Sequence, residues 1–573
     1  MSQVNGSSNE YDYIVIGGGT SGAVIARRLA DAKANFTVCL LEAGSSEKDV
    51  YDSQMPGRFF ALIKTEYDWG YDTIPQMGCY NQCLATPRGR LLGGCSAMNG
   101  TLICRGAKAD YDRIADLGNP GWSWNDILPF FKASETFHPA EWHQADMTVH
   151  GTDGPLHTEP YFGAPISEKI LQSFIDSGYN YKPDISLGVG HATRTIYKGK
   201  RCTSADFLHV PEKQNLTIRT RVFVDRIILE NVSREQEQSY KAVGVEAHDD
   251  ITSEPIIFKA RKEIILSAGA YNSPMILMHS GIGSKKHLAE VNINCKIDLP
   301  GVGNNLLDHP IVRLLYILFV IRILLLINMH LVILKILDYQ LKNGMRKRQI
   351  LFGKRLSLHV KTTIQVDSYQ ISRILNSGLL NNILEHLIFS IQVWKFLSCL
   401  EENPIYPMNG EGICTMITLL CGALQRGTVR LASNFPTDKP IIDHAHLSNE
   451  IDVAVLAEGC RLGHEVLTKG SATKDIIRGA WPRTIRYPKD TNSWKEHVRT
   501  NSGTCFHPGG TCKMAPNDDP LGVVDHRLRV RNVTNLRVAD VSILPLLNSG
   551  HTQAPAYAIG EKAAHMILQD TNS

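Results

Sequence analysis

The sequence predicts an α/β protein, and two observations carry that prediction. A strand, a glycine turn, a helix and a second strand follow one another directly near the N-terminus, the unit from which dinucleotide-binding sheets are built. The chain is also 573 residues long, beyond the roughly 100–200 residues of a single domain, so a second core or one large composite domain is expected.

The opening unit justifies itself residue by residue. Tyr11-Asp-Tyr-Ile-Val-Ile16 alternates and then fills with β-branched residues, which reads as a buried strand. It runs into Gly17-Gly-Gly19-Thr20-Ser21-Gly22, on the G-x-G-x-x-G spacing. Gly17 permits the tight turn, Gly19 lets the backbone approach a pyrophosphate, and Gly22 lets the following helix pack on the strand. That helix, Ala23 to Ala30, directs its N-terminus at the phosphates, with Thr20 and Ser21 in the turn. A second strand, Phe36 to Leu41, ends in Glu42, placed to accept hydrogen bonds from a ribose 2'-OH and unfavourable to a 2'-phosphate. These residues point to a dinucleotide, FAD or NAD.

Composition narrows the remaining classes. Lys+Arg 60 against Asp+Glu 57 leaves no general attraction for nucleic acid or an anionic membrane. Thirteen cysteines without tight spacing favour reduced thiols in a cytoplasmic compartment. The N-terminus has no signal-peptide pattern and the last residues, DTNS, match no peroxisomal signal. The stretch GTCFHPGGTCKM, residues 503 to 514, sets His507 between Cys505 and Cys512. A zinc site lacks a paired C-x-x-C element and a fourth ligand, and neither cysteine carries a redox signature. His507 is then either a core histidine or an acid/base group with Gly509 and Gly510 leaving room beside it.

Four ordered motifs carry a resemblance: the opening glycines; RGRLLGGCSAMNGTLICRG from Arg88; GAYNSPMILMHSGIG with LPGVGNNLLDHP from Gly269 to Pro310; and RVADVSILPLLNSGHTQAPAYAIGEKAAHMI near the C-terminus. Together they resemble the glucose-methanol-choline (GMC) oxidoreductase family. The resemblance implies a discontinuous Rossmann-like FAD-binding domain with an antiparallel-sheet substrate-binding domain. It implies a mainly FAD-binding region 11–310, an intervening segment 311–404, and a C-terminal region 405–568 with a helix over Ala554 to Leu568. Arg88, Gly93, Gly94, Ser96, Asn99 and Gly100 become cofactor contacts, Val224 meets adenine through its backbone, and Asp540 lies beside the ribityl chain. Met98 stands where some members carry a histidine bonded to the flavin, which implies noncovalent FAD. His507 matches the active-site histidine and His551 its partner. The implied reaction oxidises a small-molecule alcohol to a carbonyl by proton abstraction and hydride transfer to flavin N5, with reoxidation by oxygen or another acceptor. A flavin-binding hydroxynitrile lyase and a degenerate, noncatalytic flavoprotein are the alternatives.

One segment departs from this pattern. Residues 311–400 hold 34 Ile or Leu, no proline and 3 glycines, with 12 Lys or Arg against 3 Asp or Glu. Leu314 to Ile327 is apolar apart from Arg322, too short and too charged for a membrane span. The run reads as a buried or interfacial amphipathic helix, or the whole segment as a reading-frame error in the gene model.

Overall fold

The computed structural model describes residues 9–161, 165–183, 188–209, 213–232, 239–319, 364–367, 387–394 and 411–572. The opening unit folds as its sequence dictates: strand β1 (Glu10–Ile16), helix α1 (Thr20–Ala30) and strand β2 (Val38–Leu41). β2 is VCLL, buried along its whole length, the pattern of a parallel strand covered on both faces.

The chain then supplies β3 (Val189–His191), β4 (Leu216–Arg219), β5 (Val222–Asn231), β6 (Tyr240–Asp249) and β7 (Pro255–Leu266), followed by helix α2 (Gly269–His279). One sheet runs β5-β6-β7-β1-β2-β4. Its β7, β1, β2 and β4 are parallel, whereas β5, β6 and β7 form an antiparallel meander. The C-terminal region returns to this sheet, because Leu536–Val538 pairs in parallel with β7.

A second sheet is antiparallel throughout. Its strands are β8 (Pro310–Phe319), β9 (Ile364–Asp367), β10 (Leu387–Trp394), β11 (Glu411–Leu420) and β12 (Ile477–Ala480), with β13 (Ser502–Thr504). The order is β12-β8-β11-β10-β9-β3, and β13 also pairs with β8. Helix α3 (Glu450–Lys469) covers one face, burying Val453, Leu456, Cys460 and Leu467 with Val312, Leu314, Tyr316 and Leu318. The helical expectation for Leu314 onward is thus corrected: residues 314–319 are strand. Both faces of that strand are largely buried, so its sequence loses the period-two alternation that separates strand from helix. Residues 320–327 lie outside the described part.

The expected C-terminal helix is longer than predicted, α5 spanning Gln553–Asn572 after α4 (Thr491–Asn501). It packs on α1, where the Ser21 hydroxyl donates to the Ala556 carbonyl at 2.7 Å. A Cβ at Gly560 would come within 2.8 Å of the Ser21 carbonyl, so glycine sets that close approach. Among the described residues no helix is long and apolar enough to cross a membrane.

Candidate active site

A cavity of about 620 Å³ runs from the glycine turn of the first sheet to residues of the second. Of the predicted site residues, Gly17, Gly19, Thr20, Ser21, Glu42, Arg88, Gly94, Ser96, Asn99, Gly100, Val224, Asp540, His507 and His551 line it. Gly22 and Gly93 do not line it. A Cβ on Gly22 would sit 1.9 Å from the Gly17 carbonyl, so this glycine serves helix packing. The Gly93 N–H donates to the Gly18 carbonyl at 2.8 Å, locking the two glycine turns together.

The turn fits a dinucleotide phosphate. Gly17 has φ +96°, a conformation that favours glycine. Gly19 caps α1 without a side-chain hydrogen bond, leaving the first helical N–H groups open. A Cβ there would find only Gly94 Cα, at 4.0 Å, so the space beside Gly19 is cavity and not protein. Glu42 Oε2 accepts from the Gly18 N–H and Oε1 from the Gly44 N–H, each at 2.8 Å. With about four lone-pair sites, the carboxylate keeps capacity for a hydroxyl beside these backbone donors. Burial nevertheless raises the Glu42 carboxyl to a pKa of about 7, with those backbone donors pulling it down.

Further along, side chains bind the loops into one wall. Asn99 donates to Gln553 Oε1 at 2.8 Å and accepts from the Thr101 N–H and the Arg201 guanidinium. Asp540 Oδ2 accepts from the Gly269 N–H and the Ser273 hydroxyl, pinning the start of α2, while Oδ1 accepts from the Ser542 N–H in its own segment. Val224 lies on β5, the edge strand of its sheet, where half of the backbone groups face away from β6. Met98, 6% exposed, lines the same cavity.

The histidines meet because β13 pairs with the start of β8, which brings Asp308 and His309 alongside His507. The His507 backbone N–H donates to Asp308 Oδ1 at 2.8 Å. The Nδ1 atoms of His507 and His309 lie 3.0 Å apart, so one donates to the other. Nε2 of His507 is 3.7 Å from the Cys505 thiol, and the His551 ring is 5.0 Å away between centroids. Arg88 donates to the Phe506 carbonyl at 2.6 Å, tying the histidine turn to the glycine-rich loop. Burial, then His551 and His309, holds the His507 pKa well below 6.5. Asp308 accepts from the Thr504 hydroxyl and meets His444 Nδ1 at 3.2 Å. Despite burial, His444, Thr504 and His507 hold its carboxyl well below the usual range. His444 in turn contacts the Tyr271 hydroxyl at 2.8 Å.

Sequence reasoning missed Asp308, His309, Thr504 and His444. Asp308 and His309 close the LPGVGNNLLDHP motif and could have been drawn from it; His444 lies in RGTVRLASNFPTDKPIIDHAHLS, a stretch that also resembles the family, but only folding brings it beside Asp308. Cys505 and Cys512 are free thiols.

The profile of GMC oxidoreductases matches residues 11–311 and 423–560. Glucose dehydrogenase [FAD, quinone] of Drosophila pseudoobscura pseudoobscura is 32% identical, over 97% of this chain and 87% of its own. Oxygen-dependent choline dehydrogenase of Sinorhizobium medicae (strain WSM419) is 31% identical, over 97% and 95%. The crystal structure of a formate oxidase superposes with a TM-score of 0.81 at 26% identity, covering 99% of both chains. The chain therefore belongs to the GMC oxidoreductase family, and its function is FAD-dependent oxidation at a CH–OH group.

Proposed function

We propose that His507 takes the hydroxyl proton of an alcohol while His551 orients the same oxygen, and that FAD is held without a covalent link. The observation carrying this reading is the proton arrangement around His507. If its Nδ1–H donates to His309, Nε2 keeps a lone pair and can accept a proton. Its low pKa keeps the ring neutral at neutral pH, the form a base requires. His309 is then a positioning residue that selects the tautomer. Asp308 holds the backbone of His507 and, as a buried anion, favours the imidazolium once the proton arrives.

Bound FAD supplies the hydride acceptor. The residues that would hold it are the Gly17–Gly22 turn, Glu42, the Arg88–Gly100 loop, the Val224 backbone and the Asp540 region; a methionine at position 98 supports noncovalent attachment. Within the intervening segment 311–404, most of which lies outside the described residues, the strands Pro310–Phe319, Ile364–Asp367 and Leu387–Trp394 belong to the sheet of the substrate domain, and oxygen or another acceptor completes the cycle in a cytoplasmic setting. The test is anaerobic addition of alcohols to the purified flavoprotein. Bleaching of the oxidised flavin band is expected with at least one alcohol, and a kcat/KM profile whose acid limb lies below pH 6.5. A flavin that stays oxidised with every alcohol would overturn the reading.

A further inference from the structure

The cavity carries a guanidinium that neither the cofactor residues nor the histidines employ. Arg313 lies on β8 and lines the cavity together with Ile311, Ile417 and Leu419. The register explains its direction: Ile311 pairs with Leu419 and Arg313 with Ile417, while the alternate residues Val312 and Leu314 enter the core under α3. Arg313 therefore stands on an otherwise aliphatic wall. Ile311 and Leu419 belong to one apolar cluster, against which Ile417 and Cys505 pack.

Arg313 is exposed while lining the cavity. Its Nη1 reaches the histidine strand, 3.8 Å from where a Cβ of Gly503 would stand. Among the described residues it has no hydrogen-bond or ion-pair partner. The surrounding protein desolvates it and lowers its pKa, with the Cys505 thiol acting in the opposite sense. A guanidinium stays protonated under such conditions and presents five donors in a planar fork. A guanidinium that faces a cavity without a protein partner is placed to receive an anion.

Resting on the assignment of alcohol oxidation to this cavity, we infer that the substrate is an alcohol bearing a carboxylate, which Arg313 grips while the hydroxyl meets His507. The planar fork matches a carboxylate through two parallel hydrogen bonds. The same charge disfavours a cationic alcohol in a poorly solvated cavity.

The experiment compares kcat/KM for ω-hydroxycarboxylates, 1-alkanols of equal length, their ω-phosphate esters and choline, with Arg313→Gln and Arg313→Lys alongside the parent. The parent is expected to prefer the best hydroxycarboxylate over its alkanol by roughly 10- to 100-fold, the range of one charge-assisted hydrogen-bonded pair. Arg313→Gln should erase that ratio, and Arg313→Lys should restore part of it because charge remains but the fork is lost. A parent that prefers choline, the alkanol or the phosphate ester overturns the inference, as does a ratio untouched in Arg313→Gln. A second readout is independent of turnover: simple carboxylates lacking a hydroxyl should perturb the flavin absorbance of the parent at concentrations roughly tenfold or more below those needed by Arg313→Gln. Equal dissociation constants refute the role of Arg313 even if no alcohol is oxidised, whereas carboxylate binding without any bleaching refutes only the proposed reaction. Flavin content and melting temperature of both variants separate loss of the contact from loss of the fold.

Discussion

Glu42, at the glycine-turn end of the cavity region, and Asp308, at the histidine end, are both buried carboxylates, 7% and 3% exposed, yet their pKa values move in opposite directions. Glu42 accepts from backbone N–H groups, Gly18 and Gly44 foremost, and feels the Arg90 charge, yet burial wins. Asp308 faces His444, the Thr504 hydroxyl and the His507 backbone, and its partners win. Burial alone therefore does not decide the charge of an acid; the partners supplied by distant segments do. One end of the cavity leaves open space beside Gly19, and the other keeps a fixed negative charge behind a neutral histidine.

The contrast can be broken most severely at the glycine end. Gly19→Val should abolish FAD binding, because its side chain would fill the space beside α1 that no protein atom occupies. The fold should survive, since φ at Gly19 is −78° and a Cβ meets no close atom. The ratio of flavin to protein absorbance, with circular dichroism as the control for folding, checks both halves of this expectation. At the histidine end the converse holds: His507→Ala should keep FAD and slow flavin reduction by roughly 10²- to 10⁴-fold, the usual worth of a general base. Anaerobic stopped-flow at saturating substrate reads it, and reduction at the parent rate would return His507 to a structural role. His551→Asn should fall between parent and His507→Ala in the same assay, because an amide still hydrogen-bonds the substrate oxygen.

Smaller effects sharpen the comparison between the two acids. Asp308→Asn should lower unfolding stability by about 1.5–3 kcal/mol near neutral pH, the worth of hydrogen bonds to a charged group. Because the folded pKa of Asp308 is depressed, its contribution is present above the unfolded value of 3.8 and is lost as pH falls below it. Glu42 has the opposite sign. Its folded pKa of about 7 exceeds the ordinary 4.5, so flavin-free protein should lose stability as pH rises across that interval. Glu42→Gln should flatten this slope and leave the acid limb intact, whereas Asp308→Asn should do the reverse. Denaturant titrations across pH distinguish the two, and parallel curves for both variants would deny the contrast.

The glycine turn was readable because its constraints are local: a positive φ at Gly17, an open N-cap at Gly19 and a buried VCLL strand are written within about thirty residues. The fold class, the two-sheet architecture and the two histidines were legible through motifs of the same kind, as was the C-terminal helix apart from its ends. Residues 314–319 were misread because a strand buried on both faces loses the alternation that would identify it.

The sequence by itself determined the glycine turn and the family, since each rests on short-range geometry or on residue order. Only the tertiary structure decided the company those groups keep. His507 meets its Asp308 and His309 partners across nearly two hundred residues, His444 reaches Asp308 from a distant part of the chain, and Arg313 lines the cavity because of the register between β8 and β11. Charge state depends on such contacts, and electrostatic interactions of this strength act over a few ångströms of space, whatever the separation along the chain.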